Sequence, residues 1–322
     1  MTPDRRTHAP WAFLALLAAS ASQAAEPTLR REVYAMGTRL TLEVEGLPPE
    51  ELTRATEAAL HECERIEAAC STWRSESTWS QFNDAHGAEF ALGAEWVQLL
   101  STVLDWTQKT EGAFDPALGP LLRAWGTRTG GRTPTPTELK AARAASGARL
   151  LVLNPAKGTA HFTRADAGLE EGGFITGYAL DRMAQLLRQA GVRAGLLDFG
   201  GQLLAFGPGR NTSIAAPDDR HRPTFELELH EASLSTSGTS ERGRHLLDPR
   251  TGEPSAAWGS TSVVAPDALT ADLLSTALYV LGPERGFTWA EAHQVAALFQ
   301  RPHRPALATR AFRALFPREN HP

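Results

Sequence analysis

Asp272 and Thr276 stand four residues apart in a stretch, Ala271 to Leu281, whose pattern predicts a helix, so both side chains fall on one face. A carboxylate and a hydroxyl are hard oxygen ligands, and Mg2+ takes one or two such groups together with phosphate oxygens and water. The alternative is that Asp272 only complements the positive end of its own helix. His245 precedes the turn Asp248-Pro249-Arg250-Thr251-Gly252. An imidazole there is a candidate base near neutral pH, or else makes a backbone contact within the turn. Trp73 lies in a polar stretch after the first helix, where an indole is free to stack on a planar ring. His61, His86, His161 and the remaining histidines show no metal-ligand spacing.

Around these residues run segments punctuated by glycine and small polar side chains. They are Met36-Gly37-Thr38, Gly112 to Pro116, Glu170 to Tyr178, Gly200-Gly201, Ser235-Thr236-Ser237-Gly238 and His245 to Gly252. Glycine lets backbone groups approach a phosphate or a metal closely. The chain lacks GxGxxG after a strand, GxxxxGK[ST], HExxH and GxSxG. Dinucleotide-fold, P-loop, zincin and serine-hydrolase chemistry are therefore excluded.

The elements that must position these residues follow from periodicity. Glu32 to Glu45 reads as a half-buried strand, with Leu40, Leu42 and Val44 on one face. Pro48-Pro49-Glu50 opens a helix with an inward stripe of Leu52, Ala55, Ala59, Cys63, Ile66 and Cys70. Ser71 to Gly93 reads as loop, and Ala94 to Glu111 as a second amphipathic helix. Arg128 to Thr137 reads as an exposed loop, Thr137 to Ser146 as a short helix, and Leu150 to Phe162 as a hairpin. A helix from Gly177 to Ala190, with Ala190 inward, leads into a strand over Val192 to Phe199. Strands at Thr224–Leu229 and Ser260–Ala265 precede a helix capped by Asp267 or Thr270 and ended by Gly282; Thr309 to Phe316 is a last helix. Strands and helices mix without a βαβ rhythm. The expected fold class is therefore α+β, a single domain with a mixed or antiparallel sheet and flanking helices, with two similar halves as one possible plan.

The 322 residues carry 32 Lys plus Arg against 37 Asp plus Glu, so the formal charge of −5 supplies no footprint for nucleic acid. Arg5-Arg6, the apolar run Trp11 to Ala19 and Ser22-Gln23-Ala24 form a signal peptide over residues 1–24, with cleavage after Ala24 and the functional domain spanning 25–322. The expected product is exported, soluble and periplasmic. Only Cys63 and Cys70 exist. Seven residues along one helix hold their Cα atoms roughly 10 Å apart, too far for a disulfide; both should be core thiols.

Taken in order, YAMGTRL, STWRSESTWSQFN, EGAFDPALGPLLRAWG, TGYALD, STSG, HLLDPRTG and ADLLSTALYVLG resemble the ApbE family, the FAD:protein FMN transferases, from about Tyr34 to Gly282. The resemblance implies that FAD binds with Mg2+, that FMN passes to a Thr or Ser hydroxyl of a target protein, and that AMP leaves. It implies targets among exported or membrane redox proteins. By motif, Met36, Trp73, Ala113, Phe114, Asp115, Glu170, Thr176, Leu247 and Ser275 match cofactor contacts. Gly173, Asp272 and Thr276 match the metal site, with Gly173 acting through its backbone carbonyl. His245 is the candidate that takes the proton of the target hydroxyl. This chain departs from the family pattern at Thr176, where Lys is common, at Gln202 after Gly200-Gly201, and at Glu170-Glu171, where D-L is usual. The same residues would also serve an FAD pyrophosphatase that uses water as acceptor, or a flavin-binding protein without turnover.

Overall fold

The computed structural model describes residues 27–238 and 246–317. The first element is a hairpin, β1 (Thr28–Ala35) and β2 (Thr38–Glu45). It reverses at Met36-Gly37, whose φ values of 46° and 77° are the left-handed pair that a two-residue turn demands. The single strand expected over Glu32–Glu45 is thus broken in two, because alternation of side chains carries no mark of the reversal. The helix α1 (Pro49–Cys70) starts on a proline, and its stripe from Leu52 to Cys70 is buried as its spacing predicts. Both cysteines are free and buried, and burial pushes the Cys63 thiol up to about 12.

The polar stretch after α1 is not a plain loop. Ser77 accepts a hydrogen bond from the Ser80 N–H and caps α2 (Thr78–Asn83), which buries Trp79 and Phe82; β3 (Phe90–Ala91) follows. Two aromatic residues three apart fold this segment, against its otherwise polar composition. Next come α3 (Ala94–Lys109), α4 (Gly119–Ala124) and α5 (Pro136–Ala144), the last with a Thr135/Glu138 capping box. The expected hairpin is β4 (Leu151–Asn154) with β5 (Thr159–Phe162), joined by β3 into a small sheet. The helix α6 (Ile175–Gln189) buries Ala179, Met183 and Leu187, but Ala190 is exposed, since it caps the helix rather than continuing the stripe.

Strands β6 (Ala194–Phe199) and β7 (Gln202–Phe206) turn at Gly200-Gly201. A separate ribbon, β8 (Arg210–Ala216) and β9 (Asp219–Leu229), precedes β10 (Ala232–Gly238). After a small hairpin, β11 (Leu247–Asp248) and β12 (Glu253–Pro254), comes β13 (Ser260–Ala265). The helix α7 (Ala268–Ala292) is capped by Asp267 and breaks at Gly282, where φ is 82° and Pro283 restarts the turn. The chain closes with β14 (Ala296–Gln300), β15 (Leu307–Ala308) and α8 (Arg310–Leu315).

Eight strands form one sheet in the order β1-β2-β6-β7-β10-β13-β14-β15, every pair antiparallel. Alternation splits each strand between two cores. Leu197, Phe199, Val263, Ala297 and Phe299 face α1, α6 and α7, whereas Leu234, Val264, Ala296 and Leu298 pack with the β8–β9 ribbon and α8. The α+β class with an antiparallel sheet and flanking helices is what the chain adopts. Among the described residues no helix is long and apolar enough to cross a membrane.

Candidate functional site

Several glycine-punctuated segments meet at one end of the large sheet. The Gly200 N–H donates to Arg39 O at 2.9 Å, and a Cβ on Gly200 would stand 2.8 Å from the Thr38 side chain, so the β1–β2 and β6–β7 turns lie against each other. The end of β10 lies there too, with Ser237 opposite Thr261 of β13. The face of β10 that carries Ser235 and Ser237 meets α7. The Ser275 hydroxyl lies 3.1 Å from Ser235 Oγ and 2.8 Å from Ser237 Oγ, and it donates to Asp272 O. Ser237 Oγ is also 3.3 Å from Thr276 Oγ1.

Gly173 closes this hydroxyl cluster from the other side. Its φ is +82°, and a Cβ would stand 3.1 Å from both Thr276 Oγ1 and the Phe114 ring, so any other side chain there is strained and crowds the Thr276 hydroxyl. Phe114 is buried and sits edge-on to Phe174, which stacks on Trp79. These rings form the floor beneath Gly173. Asp115 spends both carboxylate oxygens on backbone N–H groups, of Ala117 at 2.8 Å and Ala148 at 2.7 Å. The Glu170 N–H donates to Pro116 O, which ties the buried Ala113–Asp115 segment to the turn before α6.

The N-termini of α6 and α7 cap each other. Asp272, on α7, accepts from the Gly177 N–H of α6 at 3.2 Å. Asp181, on α6, accepts from the Ala268 and Leu269 N–H groups of α7 at 2.7 and 2.9 Å. Asp272 therefore complements a neighbouring helix rather than its own, whose first amides belong to Asp181 and Asp267. Burial, with the negative charge of Asp181 nearby, raises Asp272 to about 7 despite the Gly177 bond. Burial likewise raises Asp181 to about 6.

This is a donor set that a hard cation fits. A buried carboxylate holding one long hydrogen bond lacks a counter-charge, and a hydroxyl and a glycine backbone flank it. Among the described residues no three His, Cys, Asp or Glu side chains gather as a metal-binding group.

A second cluster continues from Glu170. Trp73 is 65% exposed, and the Arg128 guanidinium carbon lies 4.3 Å from its ring centroid. Arg128 pairs with Glu170 at 2.7 Å, and Thr72 binds Glu171 through its N–H and its hydroxyl. Burial and the adjacent Glu171 charge push Glu170 up to about 7, against the pull of Arg128.

Of the residues named from sequence, Gly173, Asp272, Thr276 and Ser275 converge, Trp73 and Glu170 are each held by Arg128, and Ala113, Phe114 and Asp115 form their support. Met36 is half-buried at its turn, and Thr176 is half-buried in the first turn of α6. Leu247 packs its side chain with Leu121, Ala124 and Ala142, in a separate apolar cluster. His245 lies outside the described residues, as do residues 1–24. Sequence reasoning missed Arg128, which the loop expected over Arg128–Thr137 left without a role, and also Thr72, Glu171 and Asp181. Asp181 ends the TGYALD motif and could have been found there. No periodic signal marks Arg128, because its partners are distant in sequence.

A model of the ApbE family matches residues 36–299. The chain is 30% identical over 275 residues to an FAD:protein FMN transferase of Klebsiella pneumoniae, covering 78% of this chain and 77% of the relative. It is 29% identical over 254 residues to the FAD:protein FMN transferase of Vibrio cholerae, covering 73% and 75%. Among solved structures, the apo form of Pseudomonas stutzeri flavinyl transferase ApbE superposes with a TM-score of 0.80 at 29% identity, covering 90% of this chain and 97% of that one. The apbe protein of Thermotoga maritima, at 23% identity and a TM-score of 0.83, shares the fold.

Proposed function

The chain belongs to the ApbE family, and from that membership we propose that it acts as an FAD:protein FMN transferase whose metal is Mg2+ and whose acceptor is a Thr or Ser hydroxyl. In this reaction the acceptor oxygen attacks the FMN phosphorus, the bond from that phosphorus to the bridging oxygen breaks, and AMP departs with that oxygen. The hydroxyl proton needs a base, and His245 is the residue we assign to it.

Asp272, Thr276 and the Gly173 backbone would hold Mg2+, which when bound supplies charge neutralisation and Lewis-acid polarisation at the diphosphate. Ser275 and Ser237 orient the Thr276 hydroxyl through the chain of contacts described above. Gly173 keeps side-chain bulk out of the space beside it. The observation that carries the reading is that Asp272 and Thr276, one turn apart on α7, and Gly173, just before α6, gather around one cluster of oxygens. An acidic protein binding a diphosphate gains from such a cation, because its own charge of −5 opposes the ligand.

We further infer export, on the strength of Arg5-Arg6, the short apolar run and Ser22-Gln23-Ala24. The acceptor is then an exported protein or a membrane redox protein facing the same compartment. The test is incubation with FAD, Mg2+ and an exported flavin acceptor. Covalent FMN on a Thr or Ser of the acceptor, with stoichiometric AMP and loss of both on chelation, is the expected outcome. Free FMN formed equally fast without acceptor would point to hydrolysis instead.

A further inference from the structure

Arg128 is a cation that the transfer chemistry leaves unused, and it is held unusually well. One terminal nitrogen donates to Thr72 O at 2.7 Å, and the other donates to Glu170 at 2.7 Å and to the Thr72 hydroxyl. Glu171 lies 3.9 Å away, and the guanidinium also covers one face of Trp73. The loop that delivers it is closed on itself. Thr129 and Gly131 N–H groups both donate to Gly126 O, and the Arg132 N–H donates to Trp125 O. Gly126, Gly130 and Gly131 take φ values of 62°, 88° and 85°, which that tight path requires. Trp125 in turn donates its indole N–H to Gly252 O. Arg128 is thus presented by a preformed loop rather than by a free side chain.

Two consequences follow for its neighbours. Trp73 keeps most of its surface in solvent, yet one ring face is taken, so the opposite face is half of a stacking slot. Glu170 and Glu171 are adjacent and little exposed, and Arg128 is the cation between them. A planar guanidinium suits both tasks, because it stacks on an aromatic face while its edge donates to a carboxylate; an ammonium does only the second.

We propose that Arg128 is a positioning residue for substrate binding: it fixes the Trp73 indole and the Glu170 carboxylate so that a heteroaromatic ring of the dinucleotide stacks on the free face of Trp73. This rests on the flavin-transfer reading for the identity of the ring and deepens it. Arg128 acts through Trp73 and Glu170 and makes no contact with the reacting phosphorus.

The experiment measures FAD affinity of the full exported chain by flavin fluorescence, with Mg2+ and no acceptor. Arg128→Ala should raise the Kd about three- to tenfold, the span of a partly exposed cation–π contact. Trp73→Ala should raise it as well, and in the double variant the added effect of Arg128→Ala should be smaller than in the wild-type background, because the part that runs through the ring is already gone and only the part through Glu170 remains. Arg128→Lys, which keeps the charge and loses the plane, should fall between wild type and Arg128→Ala. In transfer assays the Arg128→Ala effect should appear in the KM for FAD rather than in kcat. Equal affinity of wild type and Arg128→Ala, or full additivity in the double variant, would overturn the role of Arg128 and leave the transferase reading intact. A wild-type chain that binds no FAD would sink both.

Discussion

Asp272 is the residue on which the chemistry turns. Its carboxylate is buried, bonded once at 3.2 Å, and raised to about 7. A neutral isostere keeps the Gly177 contact but brings no negative charge to a divalent cation, which weakens its hold. Asp272→Asn should therefore lower Mg2+-dependent transfer by about two orders of magnitude or more, while its melting temperature without metal stays at or above that of wild type. A variant with near-normal turnover would remove Asp272 from the metal site. Glu170 makes a different prediction. Its ordinary value of 4.5 is raised to about 7 by burial and by Glu171. The folded chain then holds this proton more tightly than the unfolded chain, so the contribution is complete below the unfolded value and is lost as pH rises to about 7. Without metal, the melting temperature should fall between about pH 5 and about pH 7.5, and Glu170→Gln, locked neutral, should flatten that decline. A wild-type curve that climbs over the same window would contradict the assignment.

The crossing of α6 and α7 decides whether the ligands meet. A Cβ on Gly177 would stand 2.3 Å from Ala268 O, so the two helices touch at bare backbone. Each helix N-terminus is capped by an aspartate of the other, and Gln202 donates to Ala268 O at 2.8 Å to hold the joint against β7. Gly177→Ala should push the helices apart. The expected cost is about 1–3 kcal/mol in urea-unfolding stability, with a loss of transfer larger than the loss of fold explains. Retention of full stability would show that the joint has slack. Gln202 thus has a clear structural task at a position where the family commonly has Asp. The reciprocal caps were not readable beforehand, because Asp181 and Asp272 are partners only when two helices far apart in sequence cross.

At the scale of the whole molecule, an antiparallel sheet gathers at one end the turns that the sequence scatters from Met36 to Thr276. If residues 1–24 are a signal peptide, the exported protein should begin at Ala25, and intact mass measurement of the secreted product checks this; a mass that includes residues 1–24 would refute cleavage there. Local order was written in the chain itself. The α1 stripe, a cap at Asp267 or Thr270, the break at Gly282 and the ordered motifs all depend on near neighbours, and period and turn chemistry suffice to read them; the packed chain chose Asp267. Trp79 and Phe82 were harder, since two aromatic residues in a polar stretch bury themselves only when a partner such as Phe174 exists to cover them. Arg128 was beyond reach for a related reason. Its worth comes from Thr72, Trp73 and Glu170, and such a meeting of charge and ring is created by the packed backbone, which no spacing along the chain encodes.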